Sequence, residues 1–99
     1  MEKRIAHYSL ESIKKLILDE QYFITQTARI DYINLGFSDD EVLEVICSLE
    51  SKNLYKSMTS LQNNTIWQDV YHKKINGIDL YIKLQITQNA IIISFKERT

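Results

Sequence analysis

YKSMTSLQNNTIWQDVY, running from Tyr55 to Tyr71, is the stretch whose reading decides the fold. It holds two short strand-like runs joined by a polar loop, and each run carries one unusual polar residue, Lys56 in the first and Gln68 in the second. From Leu54 onward the apolar residues recur with period 2 instead of 3.6, the spacing of strands and not of helices. Four antiparallel strands are expected over about 54–60, 65–73, 78–87 and 90–97. The connections agree: Asn63-Asn64 closes the first hairpin, Asn76-Gly77 is a strong two-residue turn signal, and Gln88-Asn89 closes the last. In the third strand Leu80, Ile82, Leu84 and Ile86 alternate with Asp79, Tyr81, Lys83 and Gln85. In the fourth, Ile91, Ile93 and Phe95 alternate with Ile92, Ser94 and Lys96. One face of this sheet is apolar and needs a cover of helices.

The residues before Leu54 supply that cover. Ser9 can cap a helix whose Leu10, Ile13, Leu16 and Ile17 form one apolar stripe. Tyr22-Phe23-Ile24-Thr25 has β-type side chains and can add a short strand. A second helix starts near Thr25 or Thr27 and ends at Gly36, which suits a left-handed position just past a helix. Ser38-Asp39-Asp40-Glu41 is a capping box for a third helix, with acidic residues in the first turn where the helix dipole favours them. Val42, Val45, Ile46 and Leu49 form its apolar stripe. The fold class expected is α+β: three N-terminal helices on one face of a mainly antiparallel sheet, a four-stranded C-terminal meander plus a possible short N-terminal strand.

Ninety-nine residues make one domain, 1–99, because neither half could bury an adequate core alone. No apolar run is long enough to span a membrane, and MEKRIAHYSLES has no apolar segment behind its basic residues, so a secretory signal is not expected. The single cysteine, Cys47, cannot form an internal disulfide and falls in an apolar helical pattern, so a reduced, cytoplasmic protein is the default. The net charge of −1 hides an asymmetry. Residues 1–51 carry five Lys/Arg against ten Asp/Glu, and residues 52–99 carry seven against three. Such a division fits one surface meeting a polyanion, and it equally fits uneven scatter of surface charge.

Strand parity gathers the polar residues. Side chains two apart share a face, so Tyr81 lies opposite the Leu80/Ile82/Leu84 row and Lys96 opposite Phe95. With Trp67 and Tyr71 on the core side, Gln68 falls on the other face, and Lys56 joins it if Tyr55 packs inward. Lys56, Gln68, Tyr81 and Lys96 then share the uncovered face, with Lys83 close by. Lysines are point charges for a phosphate, and a tyrosine offers a π-face or a proton. RNA cleavage without a metal needs a base for the 2′-hydroxyl, positive charge on the phosphorane and an acid for the 5′-oxygen. Repulsion between neighbouring lysines would lower the pKa of one of them, and nearby cations would lower that of the tyrosine. Lys73, Lys74 and His7 are further RNA-contact candidates, and His7 is also a candidate acid. His72 fits surface RNA contact or exposure better than catalysis. A metal site is not expected: one cysteine and two distant histidines lack ligand spacing, and no Gly-rich phosphate loop exists. The same lysine-bearing face would also serve merely to discourage aggregation.

YKSMTS at 55–60, TIWQDVY at 65–71, Tyr81-Ile82-Lys83, SFKE at 94–97 and the opening MEKR with His7 resemble the MqsR (motility quorum-sensing regulator) toxin family. The resemblance implies a RelE-like α+β fold and a metal-independent, ribosome-independent mRNA endoribonuclease that needs no cofactor and arrests growth. It implies a partner as well, a cognate antitoxin of the MqsA type that binds zinc and DNA. The family's functional positions fall on Lys56, Gln68, Tyr81 and Lys96. In these terms Lys56 and Lys96 hold the scissile phosphate, Tyr81 transfers a proton or stacks on a base, and Gln68 orients the 2′-hydroxyl or reads a base edge. Two other classes use the same residues differently: a non-catalytic nucleic-acid-binding module, or a protein-interaction domain that pairs through a strand edge.

Overall fold

The computed structural model describes residues 1–99. Local sequence builds the helices as expected. The Ser9 hydroxyl accepts the Ser12 amide at 3.0 Å and starts α1 (Leu10–Leu18), and the Thr25 hydroxyl does the same for Ala28 at the start of α2 (Gln26–Asn34). Ser38 and Glu41 close a reciprocal capping box on α3 (Asp39–Cys47). Past α2, Gly36 sits at φ +93°, the left-handed position that glycine occupies without strain.

The sheet differs from the expected one. It has six strands and is mixed, in the order β1-β3-β4-β5-β6-β2. The antiparallel centre is the meander of β3 (Leu54–Thr59), β4 (Trp67–Ile75), β5 (Ile78–Thr87) and β6 (Asn89–Glu97). Two short strands complete the edges: β1 (Glu2–Lys3), antiparallel to β3, and β2 (Tyr22–Ile24), parallel to β6. The correction has a physical reason. Two or three residues carry no readable alternation, and a parallel pair is never closed by a hairpin: α2, α3 and most of the meander lie between β2 and β6, so their pairing leaves no turn signal. Asn76 and Gly77 both take positive φ, as a tight hairpin with strand-matching twist requires.

The core lies between the helices and one face of the sheet. Ile13 and Ile17 of α1, Ala28 and Tyr32 of α2, and Val42, Val45 and Ile46 of α3 join Tyr71, Leu80, Ile82, Leu84, Ala90, Ile92 and Phe95 in one cluster. Phe95 is met edge-on by the rings of Tyr32 and Phe37. The inward row of β6 is Ala90, Ile92 and Phe95, not Ile91, Ile93 and Phe95. Lys83 pairs with Ser94 but Leu84 pairs with Ile92, so Ile93 is an extra residue that shifts the parity of the strand. No helix is long and apolar enough to cross a membrane.

Candidate RNA-cleaving face

The uncovered face is arranged in rows across the strands. His72 on β4 is opposite Tyr81 on β5, which is opposite Lys96 on β6. In the next row Lys56 on β3 is opposite Val70, Val70 is opposite Lys83, and Lys83 is opposite Ser94. A third row holds Gln68, whose side-chain amide donates to the Gln85 carbonyl oxygen at 2.9 Å. Successive rows are two residues apart, roughly 7 Å along the strands.

Lys56 reaches this face by an unexpected route. Tyr55 does not pack inward. Leu54 pairs with Tyr71 and Lys56 with Val70, so Tyr55 is the extra residue of a β-bulge. The bulge turns both Tyr55 and Lys56 outward, and the Tyr55 ring stacks on His72 with centroids 4.2 Å apart. Lys56 then forms an ion pair of 2.6 Å with Glu2 on β1, and its side chain keeps only 19% of its exposure.

Around Tyr81 the charges close in. The ammonium groups of Lys96 and Lys83 lie 5.3 and 5.8 Å from its ring centre, within cation–π range. A groove of about 790 Å³ opens beside them, lined among others by Tyr55, His72, Tyr81, Lys96 and Arg98. A second groove of about 520 Å³ runs past Gln68, Lys83 and Ser94 under the loop residues Ser60–Asn63. The structure thus brings Lys56, Tyr81, Lys83 and Lys96 together. Gln68 shares their face but stands two rows from Tyr81, in the second groove and with its amide engaged by Gln85.

Protonation follows from these neighbours. The Glu2 carboxylate, as hydrogen-bond acceptor and as charge, holds Lys56 above the ordinary lysine range. Lys83 is pushed down, first by its half-burial and then by Lys96 and Lys56, so repulsion among the lysines is felt there. Tyr81 moves opposite to expectation: burial raises it, and the opposing pull of Lys56 is weaker. Burial, then the Arg98 charge, lowers His72, while Asp79 acts the other way. An Arg98 guanidinium nitrogen lies 2.7 Å from His72 Nδ1. Guanidinium nitrogens only donate, so Nδ1 accepts and a neutral His72 carries its proton on Nε2.

Two sequence candidates fall elsewhere. His7 stacks on Trp67, centroids 5.4 Å apart, and Trp67 shares the face of Asp69 and Tyr71, so His7 lies behind the sheet from the lysines. Its amide and that of Tyr8 donate to Asp69, which is fully buried and also accepts the Ser57 hydroxyl at 2.6 Å. Lys73 turns to the helix side and reaches the Ser48 carbonyl at 3.4 Å. Lys74 is exposed on the open side, beyond His72 and opposite Asp79. Four residues of this face are not among the site residues expected from sequence. Glu2 and Arg98 are not singled out there, Tyr55 is expected to pack inward, and His72 to make surface RNA contact or lie exposed. His72 was recoverable, since it continues the Gln68–Val70 parity. The other three depend on a bulge or on chain ends that periodicity does not reach. No three His, Cys, Asp or Glu side chains come together in the chain.

Comparison with known proteins adds an independent finding. Residues 5–97 match a family described as motility quorum-sensing regulator, toxin of MqsA. The chain is also similar to the mRNA interferase toxin MqsR of Escherichia coli strain K12, with 38% identity over 98 residues. That alignment covers 99% of this chain and 100% of the relative.

Proposed function

The chain belongs to the motility quorum-sensing regulator family of toxins, and from that premise we propose that it is an mRNA interferase, the endoribonuclease of a toxin–antitoxin pair. The whole chain, 1–99, acts as one such domain. It cuts single-stranded messenger RNA in the cytoplasm without a metal or the ribosome, and so stops translation and growth. Its partner is an antitoxin of the MqsA type.

The observation that carries this reading is the convergence of three lysines around one tyrosine on an otherwise uncovered sheet face. Lys56 and Lys96 grip the scissile phosphate and stabilise the charge that develops on it, the largest single contribution available to such a site. The 2′-oxygen attacks phosphorus, the bond to the 5′-oxygen breaks, and a 2′,3′-cyclic phosphate and a 5′-hydroxyl result. Tyr81, which burial keeps protonated, gives its proton to the leaving 5′-oxygen. Lys83 adds charge next to the phosphate, and Gln68 meets the neighbouring nucleotide in the second groove.

Purified protein should cut single-stranded RNA in EDTA and leave those two ends. Cleavage that stops with chelator, or that persists undiminished in Lys56→Ala, removes the reading. Binding that returns the RNA intact would favour a non-catalytic nucleic-acid module instead. Co-expression of an MqsA-type antitoxin should relieve growth arrest and co-purify with the chain.

A further inference from the structure

Cleavage through the 2′-hydroxyl needs a group that takes its proton, and the lysine–tyrosine cluster does not offer one. Lys56 is held in its charged form by its partner. Tyr81 is held in its neutral form by burial. His72 has given its Nδ1 lone pair to Arg98, and its other nitrogen bears a proton. Lys83 is lowered, but it starts from the lysine range, far above neutral. A carboxylate, by contrast, is free of its proton across the whole neutral range without any shift.

Asp79 and Glu97 line the groove beside Tyr81 and Lys96, but the carboxylate bonded to a lysine of the cluster is Glu2. Glu2 Oε2 lies 2.6 Å from Lys56 Nζ. Its position is fixed by the backbone. Glu2 pairs with Met58 across β1 and β3, the Thr59 amide donates to the Met1 carbonyl at 3.0 Å, and the terminal ammonium donates to the Thr59 hydroxyl at 3.2 Å. The charged groups that bear on Glu2 are Lys56 first, then Arg4 and the terminal ammonium, and its field reaches Tyr81. An ammonium has three protons to donate. One is taken by Glu2, and two remain for the oxygens of a phosphate. The attacking hydroxyl sits on the sugar directly 5′ to that phosphate, so a group on the flank of Lys56 is within its reach.

Resting on the interferase reading, we propose that Glu2 is the general base: its carboxylate takes the 2′-hydroxyl proton while Lys56 holds the adjacent phosphate. The balance is closed. The O–H electron pair becomes the new bond from the 2′-oxygen to phosphorus, and the electrons of the broken P–O bond go to the 5′-oxygen. That oxygen receives the Tyr81 proton, and the Glu2 proton returns through water to the tyrosinate.

The test uses the full chain, single-stranded RNA and EDTA, with binding read on the same RNA made non-cleavable by 2′-deoxy substitution. Glu2→Gln keeps an oxygen that accepts from Lys56 and loses the carboxylate's basicity and charge. It should lower kcat by about 100- to 1,000-fold while the Kd for the deoxy RNA stays within about threefold. Glu2→Ala should be equally slow and regain at least about tenfold with added formate, giving the same cyclic product. Glu2→Gln that cleaves within about threefold of wild type overturns the proposal, as does formate without effect. So does loss of deoxy-RNA binding in step with kcat, because Glu2 would then act only by holding Lys56. Failure of the interferase reading looks different: wild type itself would not cleave in EDTA.

Discussion

The two faces of the central meander are made by alternate residues of the same strands, yet they obey opposite rules. On the covered face Tyr71, Leu80, Ile82, Leu84, Ile92 and Phe95 pack with the helices into one cluster. On the open face Lys56, His72, Tyr81, Lys83 and Lys96 stand over aromatic rings and one fully buried aliphatic residue, Val70, which is not part of that cluster. Lys56 and Lys83 flank Val70 in register, and their methylene stems are long enough to cover it while their charges stay in water. The lesson is that burial on this sheet has two meanings. One face removes apolar area from water to hold the fold together, and the other gathers cations, of which Lys83 bears a cost from its half-burial first and from the Lys96 and Lys56 charges second.

Neighbouring residues give the sharpest way to break that comparison. Phe95 and Lys96 are adjacent in sequence and point to opposite faces. Phe95→Ala should cost about 3–5 kcal/mol of stability, read from denaturant midpoints, and take activity down with the fold. Lys96→Ala should leave the melting temperature nearly unchanged and slow RNA cleavage by about 100- to 1,000-fold. If both variants lose the same property, the two faces are not separable.

Asp69 tests the border between the faces. It sits inside, but its partners are the Ser57 hydroxyl and the amides of His7 and Tyr8, which tie the N-terminal segment to the sheet. Asp69→Ala leaves those donors unpaired and should cost about 3 kcal/mol by chemical denaturation, a typical sum for bonds to one buried charged acceptor. If β1 is then released, cleavage should fall further than stability alone explains, because Glu2 travels with that strand.

Smaller effects lie in the pH dependence. Tyr71 is buried on the covered face, and burial raises its phenol from 10.0 to about 12. A raised folded-state value means this contribution to stability is fully present below the unfolded-state pKa. It is lost as the pH rises through the folded-state value. Unfolding midpoints should therefore fall between pH 10 and about 12, and Tyr71→Phe should flatten that part of the curve. Lys83 has the opposite sign: its folded-state value is lowered, so its charge opposes folding at neutral pH. Lys83→Met should raise the melting temperature slightly at pH 7 and weaken RNA binding at low salt. A fall in melting temperature would mean that the open face is not strained by its own charge.

Much of this was legible before any coordinates. Leu80, Ile82 and Leu84 announced the covered face by strict alternation, and Ser9, Ser38 and Gly36 marked helix ends through chemistry that acts over three or four residues. Tyr81 and Lys96 followed from the same alternation. What escaped depended on contacts between distant residues. Tyr55 turned outward because a bulge absorbed one residue of β3, and Ile93 did the same in β6. His7, a candidate acid by residue type, was drawn behind the sheet by Trp67 and Asp69. Lys73 found a helix carbonyl in place of the open face. Each outcome is decided by which partner is near, and periodicity holds no record of that.

The chain alone therefore determined its helices, its four-stranded meander and the polarity of the two faces, because 3.6 and 2.0 periodicities and capping chemistry are local properties. Its motifs determined the family as well. Only the folded molecule decided that the sheet has six strands and is mixed, that Gln68 stands apart from Tyr81, and that Glu2 meets Lys56 from 54 residues away. Those are distances between side chains brought together by strand order, and strand order is set by the packing of the whole core.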